Sequence, residues 1–159
     1  MQRLTALSVF LFLVVLAVAV SGQFVDGEWY QAMNQPGWNP PAIVMAAGWS
    51  VLFVLMALSA WMAWDARRGL AQVAMAWWGL QLILSVVWSW MFFGLHRTGW
   101  SLAVMGLWLL AASVTTIIFR PVRREACQLM VPVVVWLVFS LALNFTQWLM
   151  NGGGFNSIL

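Results

Sequence analysis

The amino-acid sequence predicts an all-α membrane protein, a five-transmembrane-helix bundle formed as one domain over residues 1–159. Three observations carry that expectation. Of the 159 residues, 64% are hydrophobic and only 7% are charged, whereas about a quarter of a soluble domain is charged. The apolar residues gather in five runs, each near or above the roughly 20 residues that cross a bilayer. Short polar or glycine-containing stretches separate those runs, which leaves no room for a soluble catalytic domain.

The first helix is expected at about 4–22, because Leu4 to Val20 is apolar apart from Thr5 and Ser8. A cleaved signal peptide competes with it, since Arg3 precedes the run and Ala19-Val20-Ser21 resembles a cleavage site. The run exceeds a usual signal-peptide core, which favours a retained helix. Residues 23–41 are polar and aromatic and read as a long loop. The second helix, 42–64, ends in the charged turn Asp65, Arg67, Arg68, Gly69, and the third, 71–94, stops at Leu95-His96-Arg97. The fourth spans 99–119, where Arg120-Pro121 is expected to break it, because proline lacks an amide proton and disfavours helix in the residue before it. The fifth covers 127–150 with Pro132 near its start, where a kink is expected, and Gly152-Gly153-Gly154 ends the order.

The formal charge of +3 comes from seven basic residues, all arginine, against four acids. That is too few for nucleic-acid binding. The arginines instead report orientation. Arg3, Arg67, Arg68, Arg120, Arg123 and Arg124 share one side and Arg97 lies on the other, so the N-terminus is expected in the cytoplasm, with the first loop and the C-terminus outside. Cys127 is the one cysteine; it excludes an internal disulfide and any CxxC motif and reads as a small apolar residue.

No catalytic constellation stands out. Asp26, Glu28, Asp65 and Glu125 all fall in loops, and His96 sits in a short turn and is expected to have no acidic or cysteine neighbour. His96 reads as a solvated loop residue, with axial ligation of a haem-like metal as the sharper alternative; no metal site is expected. No ionisable side chain lies within a span, which disfavours an ion-coupled transporter. The interior holds neutral polar groups instead: Gln81, Ser85, Thr115, Thr116, Ser140, Asn144 and Gln147, suited to interhelical hydrogen bonds or to orienting a ligand.

The 13 tryptophans add to this. An interfacial aromatic belt accounts for Trp61, Trp64 and Trp148, but poorly for Trp49, Trp88 or Trp136, and Trp108 also falls near mid-membrane. Trp49, Phe53, Met56 and Ala60 follow i, i+4, i+7, i+11 on the second helix, and Gln81, Ser85, Trp88 and Phe92 do the same on the third. Trp136, Ser140, Leu143 and Asn144 form a stripe on the fifth. Turned inward, the stripes enclose a flat-sided aromatic cavity; plain helix packing explains the spacing equally well.

Trp29-Tyr30 with Pro36 to Pro41, Gln81-Leu82 with Trp88-Ser89, and Pro132 to Trp136 with Leu143-Asn144 form ordered blocks that resemble the TspO/MBR family, the tryptophan-rich sensory proteins related to the mitochondrial translocator protein or peripheral benzodiazepine receptor. Trp29-Tyr30, Pro36-Gly37-Trp38-Asn39-Pro40-Pro41, Trp49 and Leu52-Phe53 are similar to its WY…KPxWxPP…W..LY block. Gln81-Leu82, Trp88-Ser89 and Phe92-Phe93-Gly94 resemble QLxLNxxWSxxFFG, Gly99-Trp100 matches the start of helix four, and Pro132 to Trp136 with Leu143-Asn144 resembles PYxxW…LN. The similarity spans Glu28 to Asn151.

The resemblance implies a five-helix membrane protein, usually a homodimer, with a pocket between helices beneath the first loop that takes porphyrins such as protoporphyrin IX and haem, and in several members sterols and drugs. No obligatory cofactor is implied; porphyrin is the ligand. Carried over by position, Trp38 helps close the lid, Trp49 and Trp136 match tryptophans linked to light-dependent porphyrin breakdown, Trp100 matches a ligand-contacting aromatic, and Ser140 and Leu143 match pocket positions. With Phe53, Ser85, Trp88 and Asn144 from the stripes, these are the candidate site residues, and Trp49 and Trp136 are catalytic candidates only if the activity is photochemical.

Departures from the family pattern make the pocket more apolar: Ser85 replaces Asn, Phe53 and Val133 replace Tyr, and Gln35 replaces Lys. Phe145 and Leu149 stand where the cholesterol motif has Tyr and Arg, so that motif is not supported. A tetrapyrrole nevertheless suits stacking on tryptophan faces, with its acidic edges near Arg97, although snorkelling explains Arg97 as well. Three readings follow: a porphyrin receptor or sensor, with or without transport or regulation of its ligand, a light- and oxygen-dependent porphyrin-degrading activity, and a regulatory membrane partner without ligand turnover. Ser85 and Ser89 form a small-xxx-small pair that would permit close helix approach in a dimer.

Overall fold

The computed structural model describes residues 2–65 and 70–153, in which five long apolar helices and one short one account for almost the whole chain. The helices are α1 (Gln2–Gly22), α2 (Gly27–Ala32), α3 (Ala42–Asp65), α4 (Ala71–Ser89), α5 (Thr98–Val122) and α6 (Arg124–Met150). All but α2 are long and apolar enough to span a membrane. A bilayer offers no water to backbone amides, so a helix, which satisfies them internally, is the form these runs must take. Arg67, Arg68, Gly69 and Gly154, read above as a turn and the start of a tail, lie outside the described residues.

The five spans close into a ring in the order α1, α3, α6, α5, α4, with α4 returning to α1. The α5–α6 and α4–α5 seams are the most extensive, while the sequence neighbours α3 and α4 barely meet. Small residues permit the close seams: Ala57, Ala60 and Ala63 on α3, Ala74 on α4, and Ala111 and Ala112 on α5 are all fully buried. Polar cross-links are few. The Gln81 Nε2 donates to Thr115 Oγ1 at 2.8 Å between α4 and α5, and the Trp78 indole donates to the Met56 carbonyl at 2.9 Å between α4 and α3. The first helix is built into this core through Phe10, Val14 and Ala17.

Four local expectations are corrected. The loop at 23–41 contains α2, whose N-cap Asp26 accepts from the Trp29 amide at 3.0 Å, a local bond that lets six residues form a helix. The third span is α-helical only to Ser89 and finishes as a π-helical turn over Trp90–Gly94, where the Leu95 amide donates to the Trp90 carbonyl at 2.9 Å. Pro121 does not break the fourth span at Phe119: α5 runs through it to Val122, and only Arg123 is extended. Pro121 forfeits the one bond its amide would make back to the Ile117 carbonyl, and the Arg123 amide still closes the last turn on the Phe119 carbonyl at 2.7 Å. The sixth helix then starts at Arg124 instead of Cys127, with Glu125 in its first turn. The Arg123 Nε lies 3.4 Å from Glu125 Oε2. The same helix continues unbroken through Pro132.

The Ser85–Ser89 pair also takes a different place from the one expected. Both residues are buried within the bundle, the Ser89 Oγ donating to the Ser21 carbonyl of α1 at 2.8 Å and the Ser85 Oγ to Leu82 at 2.7 Å. Ser89 thus joins α4 to α1, the Ser85 bond stays within α4, and both side chains are buried in this chain.

Candidate ligand-binding site

The three stripes read from the sequence turn inward. On α3, Phe53, Met56 and Ala60 are buried below a half-buried Trp49; on α4 with its π turn, Gln81, Ser85 and Phe92 are buried beside a half-buried Trp88; on α6, Ser140, Leu143 and Asn144 are buried beside a half-buried Trp136. They meet around one ring. The Trp49 indole stacks on Trp108 of α5, with centroids 5.2 Å apart and planes 17° from parallel. It meets Trp136 edge-on at 6.1 Å, and Trp88 and Phe53 tilted at 6.4 and 6.1 Å. These separations lie in the attractive range for aromatic pairs, each contributing about 0.5–1.5 kcal/mol beyond the area it buries.

A second polar layer fixes the rings. Asn144 Oδ1 accepts from the Trp88 indole at 3.1 Å and from Ser101 Oγ at 3.2 Å, while its amide nitrogen lies 3.4 Å from the Thr98 carbonyl. One side chain of α6 thereby holds a ring of α4 against the first turn of α5. By contrast, the Nε1 atoms of Trp108 and Trp136 and the Oγ of Ser140 are buried without a hydrogen-bond partner among the described residues. Buried polar groups are normally paired, and Ser21 Oγ, Trp29 Nε1 and Gln81 Oε1 share this state; the three on α5 and α6 belong to side chains in or beside the tryptophan cluster, where a ligand that carries acceptors would pair them.

Above the chamber the 23–41 segment is clamped to the end of α6. Asn151 grips the backbone of Asn34 twice, accepting from its amide and donating to its carbonyl at 3.0 Å each. Gln147 Nε2 donates to Gln35 Oε1 at 2.9 Å and to the Tyr30 hydroxyl at 3.2 Å, and Asn39 Nδ2 donates to Gln35 Oε1 at 3.0 Å. Gln35, which stands where lysine is usual, is thus the hub of the clamp. Trp38 sits beyond it, 47% exposed, with its ring edge-on to Phe139 of α6 at 5.8 Å.

The π turn holds the other side of the lid through His96, which has a left-handed φ of 55°. Its ring stacks on Trp29 at 4.3 Å and its Nε2 lies 3.4 Å from Asp26 Oδ2. The expectation that His96 has no acidic neighbour is therefore corrected: Asp26 is distant in sequence and adjacent in space. An open groove of about 630 Å³ lies here, lined by residues including Phe24, Asp26, Glu28, Phe93 and His96. It marks the loop end of the bundle and not the tryptophan chamber, whose rings close on one another.

The candidates do not all converge. Trp49, Phe53, Trp88 and Trp136 form the ring cluster, Ser140, Leu143 and Asn144 line its α6 side, and Trp38 lies in the lid. Ser85 is buried but spends its hydroxyl on the Leu82 carbonyl, and Trp100 is 49% exposed in the first turn of α5. Arg97 caps that helix at the loop end. Trp108 and the clamp residues Tyr30, Gln35, Asn39, Gln147 and Asn151 are additions that the sequence reading did not place in the site.

Comparison with known proteins agrees with this architecture. The TspO/MBR family model matches residues 9–149. The chain is 33% identical to the translocator protein of Homo sapiens over 144 residues, covering 87% of this chain and 85% of that one. It is 32% identical to protein CrtK of Rhodobacter capsulatus over 154 residues, 96% of each chain. To the tryptophan-rich sensory protein of Cereibacter sphaeroides it is 35% identical over 147 residues, 89% of this chain and 91% of that one. A family match over most of the length, on five apolar spans closed around a tryptophan cluster, makes this chain a multi-pass membrane protein of the TspO/MBR family.

Proposed function

We propose that this protein is a membrane receptor for porphyrin-like tetrapyrroles, held in the aromatic chamber among α3, α4, α5 and α6. The observation that carries the reading is the single indole of Trp49 in ring contact with Trp88, Trp108, Trp136 and Phe53. A tetrapyrrole is a broad apolar disc, and tryptophan faces are the protein surfaces that gain most from it. The unpartnered groups of Trp136, Trp108 and Ser140 supply hydrogen bonds that an aliphatic ligand would leave unused. The names of the relatives, a translocator and a sensory protein, agree with binding as the primary event. The arginine bias orients the N-terminus to the cytoplasm in this reading, and the family resemblance implies a homodimer. The test is a titration of protoporphyrin IX into purified protein in the dark, following tryptophan fluorescence. Saturable quenching is expected; quenching that grows linearly without a plateau would reject the reading.

A second reading, light- and oxygen-dependent degradation of the bound porphyrin, is favoured by the edge contact between Trp49 and Trp136 at 6.1 Å, which sets two oxidisable indoles side by side. Illumination of the saturated complex in air separates the two. Loss of the porphyrin band that requires both oxygen and Trp136 supports degradation, and a stable band supports a receptor.

A further inference from the structure

Trp108 is the largest of the fully buried side chains among the described residues, 1% exposed. It stacks on Trp49 at 5.2 Å and 17°, and its indole N–H has no partner among the described residues. Simple space filling does not explain that combination. A leucine or phenylalanine would fill the middle of α5 without stranding a donor, and a stranded buried donor is a cost. Nor does the interfacial belt explain it, because Trp108 lies ten residues into a helix that starts at Thr98, about 15 Å along its axis.

We propose that Trp108 determines what the chamber accepts: Trp49 and Trp108 part so that a flat conjugated ring inserts between their faces, and the Trp108 Nε1 donates to a neutral acceptor on that ring. The inference rests on the tetrapyrrole reading and deepens it, since it selects planar heterocycles with a ring nitrogen or carbonyl over bulky aliphatic molecules such as sterols. The stack fits this role. Insertion replaces one indole–indole contact by two indole–ligand contacts, so the aromatic attraction lost on opening is more than restored. The donor gains the acceptor it otherwise lacks. Ser140, 4% exposed and equally unpartnered, offers a second donor from α6.

The test compares protoporphyrin IX binding to the wild-type protein, Trp108→Leu and Trp108→Phe, reading the dissociation constant and the shift of the porphyrin absorption band on binding. Losing one stacking face at up to 1.5 kcal/mol corresponds to about tenfold weaker binding, so Trp108→Leu should weaken binding about tenfold and diminish the shift. Trp108→Phe keeps a face and loses the donor, so it should retain the shift and bind a few-fold more weakly. Binding by Trp108→Leu as tight as wild type, or tighter, overturns the proposal, because Trp108 would then be packing or a plug. Melting curves identify a variant that does not fold; if that is Trp108→Leu, unchanged affinity in Trp108→Phe is the overturning result. Wild-type protein that binds no porphyrin rejects the tetrapyrrole reading and this inference with it, an outcome distinct from binding that ignores position 108.

Discussion

The rim of the Trp136 indole meets Gly48 so closely that a Cβ at position 48 would stand 2.5 Å from the Cη2 and 2.6 Å from the Cζ2 of the ring. The same ring also meets Trp49 and Phe139 at 6.1 and 5.5 Å, so it has little freedom to retreat. Glycine here is a requirement of the chamber and not of the backbone: it brings α3 and α6 together at the height of the tryptophans. Gly48→Ala is expected to push Trp136 out of place, to destabilise the protein by about 1–3 kcal/mol as an overpacked contact, and to weaken porphyrin binding. Thermal unfolding in detergent and a dark titration check both, and unchanged affinity would show that Trp136 does not shape the site.

Asn144 holds the α4–α5–α6 junction. Replacing it with leucine leaves the Trp88 indole N–H and the Thr98 carbonyl contact without their partner. The expected loss is about 1–2 kcal/mol, since an orphaned buried group costs about 1–3 kcal/mol while measured interhelical bonds in membranes are worth less. Asn144→Asp would isolate the two contributions poorly, because it adds a charge. Asn144→Leu, read by melting temperature and by the emission wavelength of Trp88 in a variant background, is the cleaner test.

The lid clamp predicts a kinetic phenotype. Asn151→Ala removes both bonds to the Asn34 backbone, and Gln147→Leu removes those to Gln35 and Tyr30. Both residues bond the 30–39 segment, so ligand affinity should change little, while amide exchange over residues 30–39 and ligand release should both accelerate. Equal exchange rates in wild type and Asn151→Ala would mean that the lid is held elsewhere.

At the other edge of the lid, Asp26 is both the N-cap of α2 and the neighbour of His96. Asp26→Ala should cost about 1 kcal/mol through the lost cap. Asp26→Asn, which still accepts from the Trp29 amide, should recover most of it. Failure of asparagine to recover stability would assign the cost to the His96 contact instead.

The spans, their inward stripes and the family were legible in the sequence because a bilayer reduces the problem to run length, helical period and a few ordered motifs. Trp108 was legible in principle: Ser101, Met105, Trp108 and Ala112 repeat i, i+4, i+7, i+11 like the other stripes, and all four are buried. The lid was not. Its contacts join Asn34 to Asn151, 117 residues apart, and Asp26 to His96, much farther on in the sequence, and long-range polar pairs leave no periodic trace. The proline at 121 misled because it costs the helix one bond without ending it: α5 runs on to Val122, and the Arg123 amide still bonds the Phe119 carbonyl. Ser85 and Ser89 misled because a small-xxx-small pair marks a close approach without saying to which helix; here it is α1.

The most direct test of the tryptophan chamber as the porphyrin site is circular dichroism in the porphyrin absorption band, with protoporphyrin IX titrated in the dark into wild-type protein and Trp49→Leu. Free porphyrin has no chiral surroundings, so a signal arises only when the ring is held in an asymmetric site. The account predicts an induced band that saturates in the wild type and is strongly reduced in Trp49→Leu. An identical band in both would contradict it, placing the porphyrin outside the chamber centred on Trp49.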